Sequence, residues 1–271
     1  MNRDERRRRD REAVRAYQRN GLPPDFSFAA MFAHTRALEK ILGHHRDCER
    51  GSAVARAYHV GIERSQQASP PERAVACRAG CSLCCHNWVS VTAPEVLLIA
   101  RELHGREHGG GMAAAVHQAA TAGLGLDRDE LLERRLACPL LVDGLCSIYP
   151  VRPLACRSFF SFSLEACQKV FDLKGEDVPK PRNAMVLWGV HDRCLWAALK
   201  AQGLPHQTYE LSHALSLMLQ HDDAEGAWLG GTDVLAGATM DTLHDDEDEL
   251  FLDVLIAGAH GKRLPDNPWT D

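Results

Sequence analysis

Four of the ten cysteines in this chain fall within nine positions, in the segment CRAGCSLCCHNW. Cys77, Cys81, Cys84 and Cys85 follow the spacing C-x3-C-x2-C-C, which brings their sulfur atoms to one side of either a helix or a turn-rich loop. Gly80 lowers the helix propensity of the segment, so both conformations stay open. Thiolates packed this closely repel one another unless a metal ion or a cluster neutralises their charge. The segment therefore predicts a metal site around which the middle of the chain folds.

A second group of cysteines lies further along the chain, in the segment CPLLVDGLCSIYPVRPLACRSF. Its members are Cys138, Cys146 and Cys156. Two apolar runs flank Asp143-Gly144, the dipeptide favoured in a two-residue β-hairpin turn. In such a hairpin Cys146 lies opposite Leu141, while Pro139 ends the strand before Cys138 and frees it from the alternation of the strand. A hairpin is a rigid element from which to present a ligand, so we expect Cys138 and Cys146 to act as metal ligands.

The composition of the chain is that of a globular protein. Of its 271 residues, 45% are hydrophobic and 25% are charged, and its mean hydropathy is -0.27. No apolar run approaches the ~20 residues of a membrane-spanning helix, and the net charge of -6 does not attract nucleic acid or an anionic membrane. Because no secretory signal peptide is recognisable, we expect a cytoplasmic protein. In a reducing compartment, closely spaced cysteines bind metals rather than form disulfides.

Charge is unevenly distributed along the chain. The first twenty residues contain eight arginines interleaved with four acids. We interpret this start as a solvated helix; the alternative is an arm that binds nucleic acid or an acidic partner. From Ala201 to Gly261 there are twelve acids and no lysine or arginine. The densest acidic run, Asp245–Glu249, is explained by a helix that begins there, because acids stabilise the positive end of the helix dipole.

Helical periodicity dominates outside the cysteine-rich block. Apolar stripes predict helices from about Asp25 to Leu42, from about Ser52 to Gln67, around Leu211–Met218 and around Leu250–Leu255. We therefore predict a mostly α fold: a helical scaffold around a Cys-rich metal-binding core with one small β-hairpin. The predicted regions are an N-terminal helical region (1–70), the Cys-cluster metal-binding core (71–170) and a C-terminal helical region (171–271), which could also form one composite domain.

The segment VTAPEVLLIARELHG is the best-marked helix of the cysteine-rich block. Thr92 is a good N-cap, Pro94 suits the first turn, and Glu95 completes a capping box. Gly105 suits the end of this helix. The three glycines at 109–111 are expected to form a flexible loop that leads into another helix.

These residues together resemble a known family. The segment CRAGCSLCCHNWVSVTAPEVLLIARELHG, followed after a gap by CPLLVDGLCSIYPVRPLACRSF, is similar to the cysteine-cluster family called YkgJ-like, whose CxxCxxCC domain is described as zinc- or iron-chelating. The double cysteine, the capped helix, the Gly-x-Cys turn and the Arg-Pro-x-x-Cys-Arg ending occur in the same order, between about Cys77 and Phe160. The resemblance implies that seven residues bind metal: Cys77, Cys81, Cys84, Cys85, Cys138, Cys146 and Cys156. It does not extend to the helices on either side.

Seven thiols exceed the four ligands of one tetrahedral zinc site, and a 4Fe-4S cluster also takes four thiolates. The surplus could form a second site, bridge two metals or support an exchangeable position. Adjacent Cys84 and Cys85 point in different directions, so one of them could serve a second metal or simply be packed. Phe159, Phe160 and Phe162 could form an apolar lid over the centre. Such a lid favours an iron–sulfur cluster, with zinc as the alternative.

Five residues outside this set have open roles: Cys48, Cys167, Cys194, His86 and His191. His191 and Cys194 share one face of a helix and could form a mixed ligand pair, but a small buried core residue is the simpler interpretation of Cys194. His86, beside the double cysteine, could bind the metal or orient a ligand. Arg152 and Arg157 flank Cys156, where they could neutralise a cluster, cap carbonyl groups or hold a partner's carboxylate.

Three functions are consistent with these features. The first is a metal-cluster protein whose chemistry, if any, occurs at the centre. The second is an enzyme similar to a flagellin lysine N-methylase, which carries a related cysteine cluster and would use S-adenosylmethionine; no glycine-rich strand–turn–helix motif marks a cofactor pocket here. The third is a structural zinc module in a helical scaffold that binds protein partners. A thiol–disulfide oxidoreductase built on Cys81-Ser-Leu-Cys84 is a weaker fourth option, because no βαβ pattern surrounds the pair.

Overall fold

The computed structural model describes residues 28–44, 49–106, 109–174, 177–221, 223–241 and 246–262. The α-helices within these ranges are α1 (Phe28–His44), α2 (Arg50–Ala68), α3 (Ala93–His104), α4 (Gly109–Gly123), α5 (Arg128–Arg134), α6 (Leu154–Ser158), α7 (Leu164–Phe171), α8 (Arg182–Ala201), α9 (Leu211–Leu219), α10 (Ala224–Leu229) and α11 (Asp246–Ala259). Two short 3₁₀ helices, Leu83–His86 and Tyr149–Val151, lie in the cysteine-rich block. The predicted mostly α fold is confirmed.

The strands in the described part of the chain form two separate antiparallel pairs. β2 (Leu141–Val142) pairs with β3 (Leu145–Cys146), which is the predicted hairpin. β1 (Ser90–Thr92) pairs with β4 (Thr208–Glu210), a pairing that the sequence did not predict. Because β1 runs directly into α3 and β4 runs directly into α9, this second pair fixes the starts of two core helices side by side.

The helices predicted on both sides of the cysteine-rich block are present. α1 extends two residues beyond Leu42, where the predicted stripe ended, while the predicted start at Asp25 lies outside the described residues, and α2 agrees with the predicted stripe. In α9 the four residues of the predicted stripe are buried: Leu211, Ala214, Leu215 and Met218. The basic start of the chain and Cys48 lie outside the described residues.

The helix that follows the cysteine loop is capped as predicted. It begins after Thr92, has Pro94 in its first turn, contains the Thr92–Glu95 capping box, and ends at the C-cap Gly105. The expectation of a loop at glycines 109–111 was wrong, because these residues form the first turn of α4. α4 packs along α9, and its Val116 side chain is fully buried. Burial of an apolar face outweighs the poor intrinsic helix propensity of glycine at the end of a helix.

The acidic stretch coincides with a helix start, as the sequence predicts, because α11 begins at Asp246. Its acids also contact cations of α8: Asp248 lies 2.8 Å from Arg193, and Glu249 and Asp253 lie 2.6 and 2.8 Å from Lys200 Nζ. These ion pairs attach α11 to α8, in addition to the favourable position of acids at the helix N-terminus.

One continuous cluster of buried apolar side chains extends through the described residues. α1 packs on α2, α8 and α11, and α8 also packs on α2 and α11, while α3 packs against both α2 and α9. Tyr58, Ile99, Leu195 and Trp228 are fully buried in this cluster. All three predicted regions contribute to it, and the boundaries between them stay a prediction. None of the helices in the described ranges combines the length and the apolar character needed to cross a bilayer.

Candidate metal centre

The first cysteine segment folds as a loop followed by a 3₁₀ turn. Gly80 has a φ of 80°, a left-handed conformation that glycine adopts without steric cost. The Cys81 N–H donates to the Arg78 carbonyl at 3.1 Å, and the Cys85 N–H donates to the Ser82 carbonyl at 2.9 Å. Of the two conformations that the spacing allowed, the structure therefore has the turn-rich loop.

The hairpin presents Cys146 as the sequence predicts. Asp143 and Gly144 have φ values of 50° and 75°, the positive values of a type I′ turn. Cys146 lies opposite Leu141 in the register, and Cys138 precedes β2. The Leu141 N–H donates to the Cys138 carbonyl at 3.0 Å, so a turn separates Cys138 from the strand. Both expectations for the hairpin are confirmed.

Main-chain hydrogen bonds join the two cysteine segments. The Cys138 N–H donates to the Cys85 carbonyl at 2.7 Å. The Ala76 N–H donates to the Ser161 carbonyl at 2.7 Å, and the Ser161 N–H donates to Cys77 Sγ at 3.4 Å. Each bond links residues that are distant in the sequence, so the cysteines of one segment are held beside those of the other.

A buried carboxylate positions the helix that carries Cys156. Glu95 accepts hydrogen bonds from the Leu154 N–H at 2.7 Å and from the Thr92 N–H and hydroxyl at 3.0 Å each, and it lies 3.2 Å from His59 Nε2. Burial opposes ionisation of Glu95, but His59 and the two backbone N–H groups outweigh it and hold the pKa of Glu95 below its ordinary value. Because Leu154 is the first residue of α6, Glu95 caps this helix and ties it to α3.

Arg157 holds the same loop from the other side. Its Nε donates to the Arg152 carbonyl at 2.8 Å, and its two Nη atoms contact the Pro150 carbonyl and the Glu63 carboxylate. Gln66 Nε2 in turn donates to the Arg157 carbonyl at 3.3 Å. Of the roles that the sequence left open for Arg157, the structure shows the capping of backbone carbonyls. Arg157 also pairs with Glu63 of α2.

We group the thiols into two sets by the neighbouring cysteines that raise the pKa of Cys77 in one segment and of Cys138 and Cys156 in the other. The first set is Cys77, Cys81 and Cys167. Burial raises the pKa of Cys77, although the hydrogen bond from the Ser161 N–H opposes the rise. Three neighbouring thiols raise it further: Cys84, Cys167 and Cys81. The helix α7, which carries Cys167, packs on the 3₁₀ turn Leu83–His86, so this grouping follows from the packing of the chain.

The second set is Cys138, Cys146 and Cys156. Burial raises the pKa of Cys138 to about 12, against the opposing effect of the Leu140 N–H, and the nearby Cys146, Glu210 and Cys84 add to the rise. Burial also raises the pKa of Cys156, again with contributions from Cys138, Cys84 and Cys146. The hairpin, the turn before it and α6 thus bring three thiols into one neighbourhood.

The double cysteine lies between the two sets. The pKa of Cys84 is raised first by its hydrogen bond with the Cys85 thiol and then by burial. Cys84 and Cys156 are exposed to solvent, yet the protein around them still partly dehydrates their sulfur atoms. Both thiols can therefore be reached from solvent.

Cys167 is the member of these sets to which the sequence assigned no role. It lies in α7, whose N-terminus is capped by the Ser163 hydroxyl, which accepts from the Ala166 N–H at 3.1 Å. The signal in the sequence was the continuation of the cysteine-rich block past Cys156. The return of α7 toward Cys77 is a tertiary feature that spacing alone does not show.

The aromatic residues after Cys156 lie beside the first set. Phe159, Phe160 and Phe162 are half-buried, and Ser161 among them binds Cys77. Cations lie over two of the rings: Lys180 Nζ is 5.1 Å from the centre of the Phe159 ring, and the Arg73 guanidinium is 4.3 Å from that of Phe162. The expected lid over a centre stays a prediction.

His86 is held in the cysteine loop through one of its ring nitrogens. Its Nδ1 lies 3.2 Å from the Ser82 carbonyl, which can only accept, so Nδ1 carries the proton. Its ring packs edge-on against Phe171, with centroids 5.0 Å apart. A bond from one ring nitrogen to a carbonyl is typical of histidines that bind metal through the other nitrogen. His86 therefore stays a candidate ligand.

Cys194 and His191 belong to the helical core. Cys194 is fully buried, its Sγ lies 3.7 Å from the Met31 carbonyl, and burial raises its pKa to about 12. His191 Nδ1 lies 2.9 Å from His34 Nε2, and His191 Nε2 lies 3.0 Å from the Ser65 hydroxyl. Both nitrogens of His191 are thus engaged within the core. The structure favours the simpler interpretation of Cys194 as a packed residue.

In the described part of the chain, no three His, Cys, Asp or Glu side chains surround the position of a single metal ion. The seven cysteines predicted as ligands nevertheless lie in two segments that are hydrogen-bonded to each other, and their role as ligands stays a prediction. Together with Cys167 they supply eight soft sulfur donors. Such donors suit zinc and iron–sulfur clusters, so the donor set fits either group.

The fold and the site define a helical protein with a cysteine-rich segment suited to metal binding. Residues 76–174 match the CxxCxxCC family, whose description is "Putative zinc- or iron-chelating domain". The match confirms the resemblance of the cysteine segments, includes Cys167, and covers a little over a third of the chain. It supports zinc or iron binding by this domain. No curated protein and no solved structure matches the chain significantly.

Proposed function

We propose that this protein binds an iron–sulfur centre, with zinc as the alternative, through its clustered thiolates. The ligands we propose are Cys77, Cys81, Cys84, Cys85, Cys138, Cys146, Cys156 and Cys167. The observation that carries the proposal is the meeting of the two cysteine segments, joined by the hydrogen bond from Cys138 to Cys85. When bound, an iron–sulfur cluster would supply one-electron transfer, whereas zinc would mainly hold the two segments together.

We assign four thiolates to each of two centres. One centre would be held by the first set (Cys77, Cys81 and Cys167) together with one cysteine of the Cys84–Cys85 pair. The other centre would be held by the second set (Cys138, Cys146 and Cys156) together with the remaining cysteine of that pair. The two thiols of this pair are hydrogen-bonded to each other, contrary to the expectation that they point in different directions, so the assignment requires them to separate when metal binds. Four thiolates satisfy either a zinc ion or a 4Fe-4S cluster. The assignment accounts for the double cysteine and for a thiol count that exceeds the need of one site.

The test is elemental and sulfide analysis of protein purified without oxygen. Two iron–sulfur centres predict about eight irons per chain with equal sulfide and a broad absorbance near ~400 nm. Colourless protein with about two zinc ions per chain supports the structural alternative. Protein that contains neither metal and stays folded with its thiols free contradicts metal binding altogether.

Cys81→Ser tests the ligand assignment. Serine is a poor ligand for these soft metals, so we expect the variant to lose the metal of the first set and to be less stable. Cys194→Ser is the matched control, because it makes the same chemical change at a buried thiol outside both sets. Full metal content in the Cys81 variant would remove Cys81 from the proposed ligands.

A further inference from the structure

Two cations near Cys77 lie over aromatic rings and have no acid to balance them. The Arg73 guanidinium is 4.3 Å from the centre of the Phe162 ring, and Lys180 Nζ is 5.1 Å from that of the Phe159 ring. Among the described residues, no carboxylate lies at ion-pair distance from either cation. Both positive charges are therefore uncompensated within the described part of the chain.

Hydrogen bonds join the three segments that carry these cations and rings. They run from the Ala76 N–H to the Ser161 carbonyl at 2.7 Å, from the Phe162 N–H to the Pro179 carbonyl at 2.9 Å, and from Asn183 Nδ2 to the Pro70 carbonyl at 2.8 Å. The Ser161 N–H also donates to Cys77 Sγ at 3.4 Å, so the exposed Cys77 belongs to the same group. Because residues 70–78, 159–162 and 179–183 are connected in this way, we call them together the basic surface.

The basic surface has a local excess of positive charge. It contains four cations and one acid, which gives a net charge of +3: Arg73, Arg78, Lys180 and Arg182 against Glu72. The three arginines are exposed, and Lys180 is half-buried. The whole chain has a net charge of -6, so the sign of this surface is opposite to that of the molecule.

An exposed apolar residue borders these cations. Val186 lies one turn after Arg182 in α8 and is 43% exposed. Residues one helical turn apart share a face of the helix, so Val186 extends the basic surface along α8. Arginine and aromatic side chains next to an apolar position are typical of protein–protein interfaces.

The cation–aromatic geometry favours carboxylates as the binding groups of a partner. A guanidinium over a ring has one face covered, but its N–H edge can still donate two hydrogen bonds to one carboxylate. Nucleic acid fits less well, because bases bind by stacking on aromatic faces and cations already cover one face of Phe159 and of Phe162. The negative charge of the whole chain also opposes the approach of a long polyanion.

We propose that the basic surface is a docking site for an acidic protein, whose carboxylates pair with Arg73 and Lys180 and whose contact extends to Arg78 and Arg182. The partner it fits is a protein segment with several closely spaced Asp or Glu residues. Because the Cys77 thiol is exposed within this surface, such a partner would dock beside the cysteine segments. Docking does not depend on bound metal, since the cations contact the partner directly.

Fluorescence anisotropy of a labelled polyglutamate peptide tests this surface in the full chain. Wild type should bind the peptide, and the affinity should fall as salt rises, because salt screens exposed charge pairs. Arg73→Gln combined with Lys180→Gln should weaken binding about tenfold, because two ion pairs are lost. The matched control combines Arg56→Gln with Lys262→Gln, which removes the same two charges at exposed positions of α2 and of the segment after α11, and it should bind as wild type does.

The control and a second probe decide the outcome. A double variant that binds as tightly as its control would overturn the inference, as would wild type that does not bind polyglutamate. If the double variant does not fold, Arg73→Gln alone should weaken binding about threefold. Labelled single-stranded oligothymidylate tests the alternative: tighter binding than polyglutamate, weakened by the same double variant, would show a nucleic-acid surface and contradict a protein partner. None of these results depends on metal content, so failure of this inference leaves the proposed metal binding intact.

Discussion

Replacing Glu95 with glutamine should destabilise the protein by about 3 kcal/mol. The carboxylate is buried and serves four donors at once: two on Thr92, one on Leu154 and one on His59. A glutamine of the same size has one acceptor oxygen and an amide group that can only donate. Whichever way it turns, at least one buried backbone N–H faces another donor.

The magnitude follows from two losses at Glu95. An unsatisfied buried N–H costs about 1–3 kcal/mol. The remaining hydrogen bonds go to a neutral amide instead of a carboxylate. The contribution of each to stability then drops from about 1.5–3 kcal/mol to about 0.5–1.5 kcal/mol. A neutral glutamine does not carry the free-energy cost of burying a charge, and this gain offsets part of the two losses. The net loss of unfolding free energy is about 3 kcal/mol. The damage should spread to α6 and Cys156, because Leu154 loses its cap.

Urea unfolding at neutral pH measures this loss, and Glu130→Gln is its control. Glu130 completes the same kind of capping box with Asp127 at the start of α5, but it is exposed, so water replaces the lost bond and the cost should stay below ~1 kcal/mol. Hydrogen exchange at the Leu154 amide should also accelerate in the Glu95 variant only. Equal, small losses in both variants would refute the reasoning that burial makes the Glu95 network costly to break.

Two further changes test the core and the hairpin. Burial lowers the pKa of His191 from 6.5 to about 3, so the stability it contributes is present above pH 6.5 and is lost as pH falls toward 3. The unfolding free energy of wild type minus that of His191→Gln should therefore fall by about 2 kcal/mol between pH 7 and pH 5 in urea titrations; a constant difference would contradict the assignment. Gly144→Ala places a side chain at a φ of 75° and should cost about 1 kcal/mol while weakening metal retention through Cys146. The control is Gly111→Ala in α4, where an added methyl group meets open space, and it should leave the stability unchanged or raise it. If both glycine variants lowered the melting temperature equally, backbone strain would not be the cause.

The features predicted correctly from the sequence depend on a few consecutive residues. Asp143-Gly144 defines a type I′ turn, because both positions require positive φ. Thr92 and Glu95 define a helix start, because a capping box satisfies N–H groups within one turn. The resemblance to the CxxCxxCC family, whose model matches residues 76–174, could also be recognised, because the cysteine pattern lies within two short segments.

The features that the sequence did not reveal depend on contacts between distant segments. The glycines at 109–111 are helical because α4 packs on α9, a contact that local propensity does not contain. Cys167 lies near the first cysteine segment because α7 packs onto the 3₁₀ turn of the double cysteine. The role of Arg157 could not be chosen from the sequence, because the Glu63 carboxylate that it pairs with belongs to a distant helix.

The sequence by itself determined the kind of site: closely spaced sulfur donors, a turn that can present one of them, and apolar stripes for a helical scaffold. Only the tertiary structure decided that the two cysteine segments lie side by side and which buried carboxylate holds the helix of Cys156 in place. The physical reason is one of range. Turns and caps are settled by neighbouring residues, whereas the balance of charge, burial and hydrogen bonds at a site depends on every segment that packs around it.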